Sequence, residues 1–324
     1  MEQIMLPSSS RRETTRLGYG CSSIMGALNR TESLRLLEAA YDAGIRHFDV
    51  APMYGYGEAE SCLGEFRARH ADVTITTKYG IAPPKRGGLL RTARRVVGPV
   101  LQRIPALKRR LVRAAGAVAA PAEKSRFSAE EARASLENSL RALRANFIDV
   151  WLLHEAEAAD LTDDALLRFL EDSVAQGAIG AFGVGSDSAK LPALLRDRPA
   201  YCRVVQHDWS ILDPIEPQTT AFHIHHRALT DRLQTIHDDL IRDKPRCVRW
   251  SEITGRDLAR REDLAALMLK AALVLHPNTI LLVSSKSPAH IRENVRVAED
   301  ASLNDPARRL HQLVQREGLA SAAN

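Results

Sequence analysis

Four side chains able to move or steer a proton stand in short apolar contexts along the chain. The first context is HFDVAPMYG, residues 47–55, where an apolar run ends on Asp49 and Tyr54 follows five residues later. The second, ITTKYG, carries Lys78, and the third, FIDVWLLH, ends on His154. Burying a carboxylate at the end of an apolar run is unfavourable unless a cation or a hydrogen-bond donor meets it. Lys78 is the expected partner of Asp49. A phenol with an ordinary pKa of about 10 exchanges its proton poorly near neutrality. An ammonium close by is expected to favour the phenolate and lower that pKa, while the carboxylate keeps the lysine charged and in place. A histidine beside them can orient a carbonyl oxygen or share the proton. The reaction that suits such a set is reduction of a carbonyl or its reverse. Hydride chemistry belongs to a nicotinamide rather than to side chains, so a cofactor is implied.

These residues need a scaffold that brings separate segments to one place. GIRHFDV (44–50), DVTITTK (72–78), FIDVWLLH (147–154), IGAFGVG (179–185), CRVVQHD (202–208) and TILLVSS (279–285) read as buried strands. LGYGCS (17–22) and FHIHH (222–226) are weaker strand signals that complete a set of eight. TESLRLLEAAYDAG, GEAESCLGEFRARH, SAEEARASLENSLRALRA, DDALLRFLEDSVAQG and REDLAALMLKAALVL space their apolar residues as one-faced helices. Thr31 and Ser128 are candidate helix starts, and Gly44 and Gly177 candidate C-terminal caps. The alternation predicts an α/β fold, a (β/α)8 TIM barrel forming a single domain over residues 1–324. A doubly wound open sheet is the alternative. In a barrel the active site lies at the C-terminal ends of the strands, which is where Asp49, Lys78 and His154 fall, with Tyr54 on the loop after the first of them. The RDKPRCVRWSEITGRD stretch (242–257) has no clear period and is expected to be a loop over the same face.

The motifs GIRHFDVAPMYGYGEAESCLG, ITTKYG and SLRALRANFIDVWLLHE resemble, in order and spacing, the core of the aldo-keto reductase family. The similarity continues through AIGAFGVGS, VVQHDWSIL and SSKSPAHIREN, covering most of residues 16–300. The resemblance implies the (β/α)8 barrel, with Asp49, Tyr54, Lys78 and His154 as the catalytic tetrad and Tyr54 as its acid/base. It also implies NADP(H) in preference to NAD(H), bound extended without a Rossmann domain. Carried over position by position, Gln206 matches a residue near the nicotinamide carboxamide, and Gly185 and Ser186 stand where many members have Ser-Asn. His226 falls where many members stack a tyrosine on the nicotinamide. Ser285, Lys286 and Ser287 suit a phosphate, and Glu293 and Asn294 match adenine-side residues. The implied activity is hydride transfer between nicotinamide and an aldehyde, ketone or sugar carbonyl. The alternative is a cofactor-binding barrel that serves regulation or interaction with little or no turnover.

The rest of the sequence narrows the partners to small molecules. The net charge of +5 is unevenly distributed: residues 85–126 hold twelve Lys/Arg against the single acid Glu123, a net of +11 that leaves −6 on the remainder. This basic insertion, within 80–127 after the third predicted strand, reads as a surface segment, a lid beside the pocket or a contact for an anionic partner. No aromatics interleave with its charges, so nucleic acid is not an expected partner. GYGCSS (18–23), GYGEAE (55–60) and GVGSDS (183–188) lack the complete dinucleotide fingerprint and read as barrel turns. His223, His225 and His226 invite a metal, but no adjacent acid or cysteine completes a ligand set, so none is expected. Cys21, Cys62, Cys202 and Cys247 lie far apart, which suits a reducing cytoplasm. The first residues carry no apolar core of a signal peptide, and no run of eighteen apolar residues predicts a membrane span.

Overall fold

Every predicted strand forms, and the eight close into a ring. The computed structural model describes residues 1–8, 11–26, 28–82, 124–215 and 219–318. A short antiparallel hairpin, β1 (Gln3–Met5) and β2 (Glu13–Thr15), comes first. The barrel then runs β3 (Leu17–Gly20), β4 (His47–Asp49), β5 (Thr74–Tyr79), β6 (Ile148–His154), β7 (Ile179–Gly185), β8 (Val204–Asp208), β9 (Phe222–His226) and β10 (Thr279–Val283). All neighbouring pairs are parallel, and β10 returns to β3, which excludes the open doubly wound alternative.

Alternation along each strand divides the packing. Val150, Leu152, Ala181, Val204, Ile224, Ile280 and Leu282 point inward and form the barrel's apolar filling, with Leu6 from the turn of the hairpin in the same cluster. The neighbouring residues Trp151, Phe182, Val205 and Leu281 face outward into the larger core between strands and helices. The hairpin is tied to the barrel by charge. Arg12 reaches the buried Asp149 at 2.8 Å, and Arg16 donates to the carbonyls of Leu273 and His276 at 2.6 and 2.9 Å.

The outer layer contains α1 (Arg30–Asp42), α2 (Ala59–Arg67), α3 (Ala129–Ala142), α4 (Asp164–Ala175), α5 (Leu191–Asp197), α6 (Arg232–Arg242), α7 (Lys244–Thr254), α8 (Arg261–Leu275), α9 (Pro288–Glu299) and α10 (Asn304–Glu317). Ser128 caps α3 as expected, accepting from the Glu131 amide. The cap of α1, however, is Asn29 rather than Thr31. Its side chain accepts from the Glu32 amide while Glu32 answers the Asn29 amide, a reciprocal capping box. Gly44 and Gly177 take φ of 98° and 73° just past α1 and α4. Each closes a Schellman turn, with Ile45 donating to Ala40 and Ala178 to Ser173. The 242–257 stretch is not a loop: α7 occupies most of it, started by Asp243 on the Arg246 amide and ended by Gly255 at φ 67°. Its sparse buried positions, Cys247, Trp250 and Thr254, hid the helical period.

Residues 83–123, which hold most of the predicted basic insertion, lie outside the described residues. Its two ends are held together. Ile81 pairs with Lys124 in an antiparallel bridge, Ser125 donates to the Gly80 carbonyl at 2.7 Å, and the Tyr79 hydroxyl donates to the Arg126 carbonyl.

Gly183 shows how closely the strands meet at the site's edge, because a Cβ there would sit 1.8 Å from the Val204 carbonyl oxygen. Gly183→Ala is therefore expected to break the β7–β8 pairing and cost about 3 kcal/mol or more. Gly177→Ala meets open space and is expected to cost only the left-handed penalty of about 1–2 kcal/mol. Denaturant unfolding of the two variants checks the contrast.

Candidate active site

Asp49 ends β4, and register places it beside Thr76 of β5 and Gly20 of β3. Two residues further along β5, Lys78 projects into the same side of the barrel, because residues 74, 76 and 78 share a face. Its Nζ lies 2.6 and 2.7 Å from the two Asp49 carboxylate oxygens and 3.1 Å from the Val50 carbonyl. Both side chains are buried. Asp49 and Lys78 thus form the expected pair of acid and cation.

Beneath the pair the barrel is polar on this side. His47 contacts Thr74 Oγ1 at 3.0 Å through Nδ1 and Thr76 Oγ1 at 3.1 Å through Nε2. Thr14 reaches Thr74 at 2.6 Å. Gly18 leaves the room that His47 and Leu282 occupy, since a Cβ there would approach them at 3.0 and 2.8 Å. The apolar filling occupies the opposite strands.

Tyr54 is placed by a tight turn rather than by a strand. Its amide donates to Ala51, and the chain then passes through left-handed residues Gly55 (φ 58°), Tyr56 (φ 58°) and Gly57 (φ 88°). At Gly55 the requirement is steric as well, because a Cβ would fall 2.5 Å from Met25 Cβ. The turn brings the half-buried phenol ring to 5.4 Å, centroid to Lys78 Nζ, and to 6.3 Å from the His154 ring at 87°. His154 ends β6, its Nδ1 buried and without a hydrogen-bond partner among the described residues. Asp49, Tyr54, Lys78 and His154 thus gather at one mouth of the barrel.

The protonation states differ in part from expectation. Burial alone would push Lys78 down, but Asp49 and Tyr54 hold its pKa above the ordinary value, so the ammonium is charged. Burial raises the Tyr54 pKa and outweighs the lowering by Lys78, with Asp49 adding to the rise. The expected shift toward phenolate is present as one contribution and loses to desolvation. At neutral pH the phenol keeps its proton. Burial, then the Lys78 charge, lowers His154 to about 3, leaving a neutral imidazole. A charged ammonium, a neutral phenol and a neutral imidazole form a set that can hand a proton to an oxygen.

The remaining predicted residues divide into two groups. Gln206 is buried and donates its amide to Asp49 Oδ2 at 2.7 Å, making it a second donor to the carboxylate, a role the sequence did not suggest. Gly185 pairs with both His154 and Gln206 across the ladder. Ser186 donates its hydroxyl to the Ala156 carbonyl at 2.9 Å. His226 closes β9; burial lowers it to about 4, and it lies close enough to act electrostatically on His154. The second group lies at the N-terminus of α9. Ser285 accepts from the Ser287 amide at 3.1 Å, Lys286 is exposed, and Asn294 is half-buried. Glu293 is exposed and engaged with Arg296, at 2.9 and 2.5 Å. Two residues escaped the sequence reading. Asp208, the acid ending VVQHD, accepts from the Ser188 amide at 2.9 Å near His226. Glu155 adopts φ 56° directly after His154 and extends the β6–β7 ladder by donating to Gly185 at 2.6 Å.

A parallel barrel with ionisable groups at its strand ends is one of the layouts on which enzymes are built. The chain belongs to the aldo/keto reductase family, whose model matches residues 16–227. It is 32% identical over 180 residues to D-threo-aldose 1-dehydrogenase from a Pseudomonas species, across 52% of this chain and 49% of that protein. It is also 44% identical over 70 residues to pyridoxal 4-dehydrogenase from Microbacterium luteolum, 20% of each chain. The chain thus spans about half the length of the first of these relatives and a fifth of the second. Among solved structures, an aldo-keto reductase from Bacillus halodurans superposes with a TM-score of 0.67 at 19% identity, covering 96% of both chains. A Klebsiella pneumoniae aldo-keto reductase in complex with NADPH gives 0.60 at 18%, again covering 96% of each chain.

Two outcomes follow from the electrostatics. Removing one partner of the buried pair strands the other's charge, so Lys78→Met or Asp49→Asn alone is expected to cost about 3–5 kcal/mol. The double variant is expected to lose less than the sum, measured as a double-mutant cycle in urea. The second concerns pH. His47, held at about 4 by burial, and His154 are neutral in the fold and ordinary, near 6.5, when unfolded. The unfolded chain therefore binds more protons below 6.5, and stability falls as pH drops from 6.5 toward 4, by up to about 1.4 kcal/mol per unit for each histidine. Urea midpoints at pH 7.5, 6 and 5 give the slope.

Proposed function

We propose that this chain is an NAD(P)-dependent oxidoreductase, using NADP(H) in preference to NAD(H), that interconverts an aldehyde, ketone or sugar carbonyl with its alcohol. The observation that carries the reading is the buried Lys78–Asp49 pair beside Tyr54 and His154 at one barrel mouth. In this reading Tyr54 gives its proton to the carbonyl oxygen in reduction and takes one from the alcohol in oxidation. Lys78 stabilises the phenolate left behind, Asp49 supplies the ammonium's counter-charge, Gln206 holds that carboxylate in place, and His154 orients the oxygen.

The residues fit a nicotinamide dinucleotide on two observations. Gly185 has no side chain where β7 passes Gln206, and a Cβ there would already approach Gln206 Oε1 at 3.4 Å. The Ser285–Lys286–Ser287 turn leads into the N-terminus of a twelve-residue helix, a favourable place for phosphate. When bound, the nicotinamide supplies the hydride. Gly185, Ser186, Gln206 and His226 would hold its reactive end. Ser285, Lys286 and Ser287 would take a phosphate, and Glu293 and Asn294 the adenine side, Glu293 after release from Arg296. The NADP preference draws support from the Lys286 ammonium beside two serines and from the NADPH complex of the Klebsiella neighbour. The relatives' names point to sugars and other aldehydes as the substrates to try first.

Titration with NADPH and NADH, followed through Trp151, Trp209 and Trp250 fluorescence, is expected to show saturable binding, tighter for NADPH. Tyr54→Phe is expected to lower kcat on an aldose and aldehyde panel at least about 100-fold while cofactor affinity stays within a few-fold. Undiminished turnover in Tyr54→Phe would refute the acid/base role. Cofactor binding without turnover by the wild type across the panel would favour the regulatory reading instead.

A further inference from the structure

Behind the wall that carries Gln206 and His226, three histidines meet on the outside of the barrel. Val204 and Ile224 belong to the interior filling, so His207 on β8 and His223 and His225 on β9 occupy alternate, outward positions. Register sets His207 directly opposite His225 and Val205 opposite His223. One ring nitrogen from each of the three lies within 4.8 Å of the others. His207 and His225 are buried and His223 is partly exposed. The patch is roofed by Trp209, stacked on His225 at 6.0 Å, and by His276 at 4.7 Å from the same ring.

The nitrogens are oriented as well as close. His207 Nδ1 lies 3.0 Å from the Asp208 carbonyl oxygen, which can only accept. That nitrogen is therefore the donor, which makes Nε2 the acceptor in its 3.4 Å hydrogen bond with His223 Nδ1. On His223, Nδ1 is the atom facing His207, while Nε2 lies 2.8 Å from the Thr219 hydroxyl. Reversing the Thr219 contact, so that Nε2 donates to the hydroxyl, would turn His223 Nδ1 from a donor into a second ligand atom on the same side. A polar group holding the far nitrogen is the usual support of a histidine that ligates metal, and His207 and His223 each have one. In a tetrahedral zinc site with bonds of 2.0–2.1 Å, ligand nitrogens stand roughly 3.3 Å apart. The His207–His223 separation already matches, and a partner at the 4.8 Å limit must close by about 1.5 Å.

We propose that His207, His223 and His225 form a site for a divalent transition metal, with zinc as the fitting cation. Three imidazoles suit zinc and its neighbours and do not suit magnesium or calcium, which take oxygen ligands. The cation would clamp β8 to β9. Gln206 and His226, each adjacent in sequence to a ligand, sit on the opposite face of the same two strands, so the clamp stiffens the wall that positions them. The inference is independent of the proposed redox activity and is read by binding, not turnover.

The same geometry serves a cation-free chain of hydrogen bonds from Thr219 through His223 to His207, and the experiment separates the two. Tag-free protein, stripped with a chelator, is titrated calorimetrically with zinc sulfate and then with magnesium. The expected result is one zinc per chain, no magnesium uptake and a zinc-dependent rise in the thermal midpoint. His223→Ala, at the partly exposed position that best tolerates truncation, is expected to bind zinc at least tenfold more weakly and to lose that rise. Thr219→Val, on the surface, is expected to weaken binding by about tenfold. Absence of saturable one-to-one binding overturns the proposal. So does zinc binding by His223→Ala as tight as that of the wild type.

Discussion

The site depends on one carboxylate that would be untenable alone. Asp49 is buried at the end of β4, where an isolated charge is strongly disfavoured, and it persists because three donor contacts meet it: two from Lys78 and one from Gln206. Those donors come from different strands, so the carboxylate draws β4, β5 and β8 into one arrangement. The dependence runs the other way too. A buried ammonium without Asp49 would shed its proton, and the phenol beside it would lose the charge that moderates its acidity.

Desolvation decides which protonation state the mouth of the barrel adopts. The lysine acts on Tyr54 in the direction that its charge requires, but burial acts harder, and the phenol remains an acid. His154 is kept neutral by the same two influences acting together. In the proposed role, reduction draws directly on the form that predominates at neutral pH, while oxidation must first remove the phenolic proton. Low dielectric is therefore the factor that biases a symmetrical set of groups.

Much of this was legible in the sequence. GIRHFDV, DVTITTK and FIDVWLLH marked both the strands and the residues at their ends, because buried parallel strands read as continuous apolar runs and the polar exception stands out. The weaker runs LGYGCS and FHIHH also proved to be barrel strands. What escaped were properties that arise only across strands. The amide of Gln206 on Asp49 joins residues 157 apart, and no local pattern announces it. The neighbourhood of His207, His223 and His225 is likewise a product of register, since FHIHH displays only two of the three. The net direction of the Tyr54 shift needed burial, which spacing alone does not report. Helix α7 was missed for a local reason: three buried positions in eleven residues give a faint stripe.

The joined ends of the basic segment carry a last consequence. Ile81 and Lys124 pair, Ser125 closes on Gly80, and Lys124 is anchored to Asp160 at 2.6 Å. Departure and return thus share one doorway, sealed before the chain leaves it. Loop closure grows only logarithmically with length, so lengthening or trimming what lies between costs the barrel little. The strand carrying Lys78 thereby keeps its register whatever the length of the span that the two joined ends bracket.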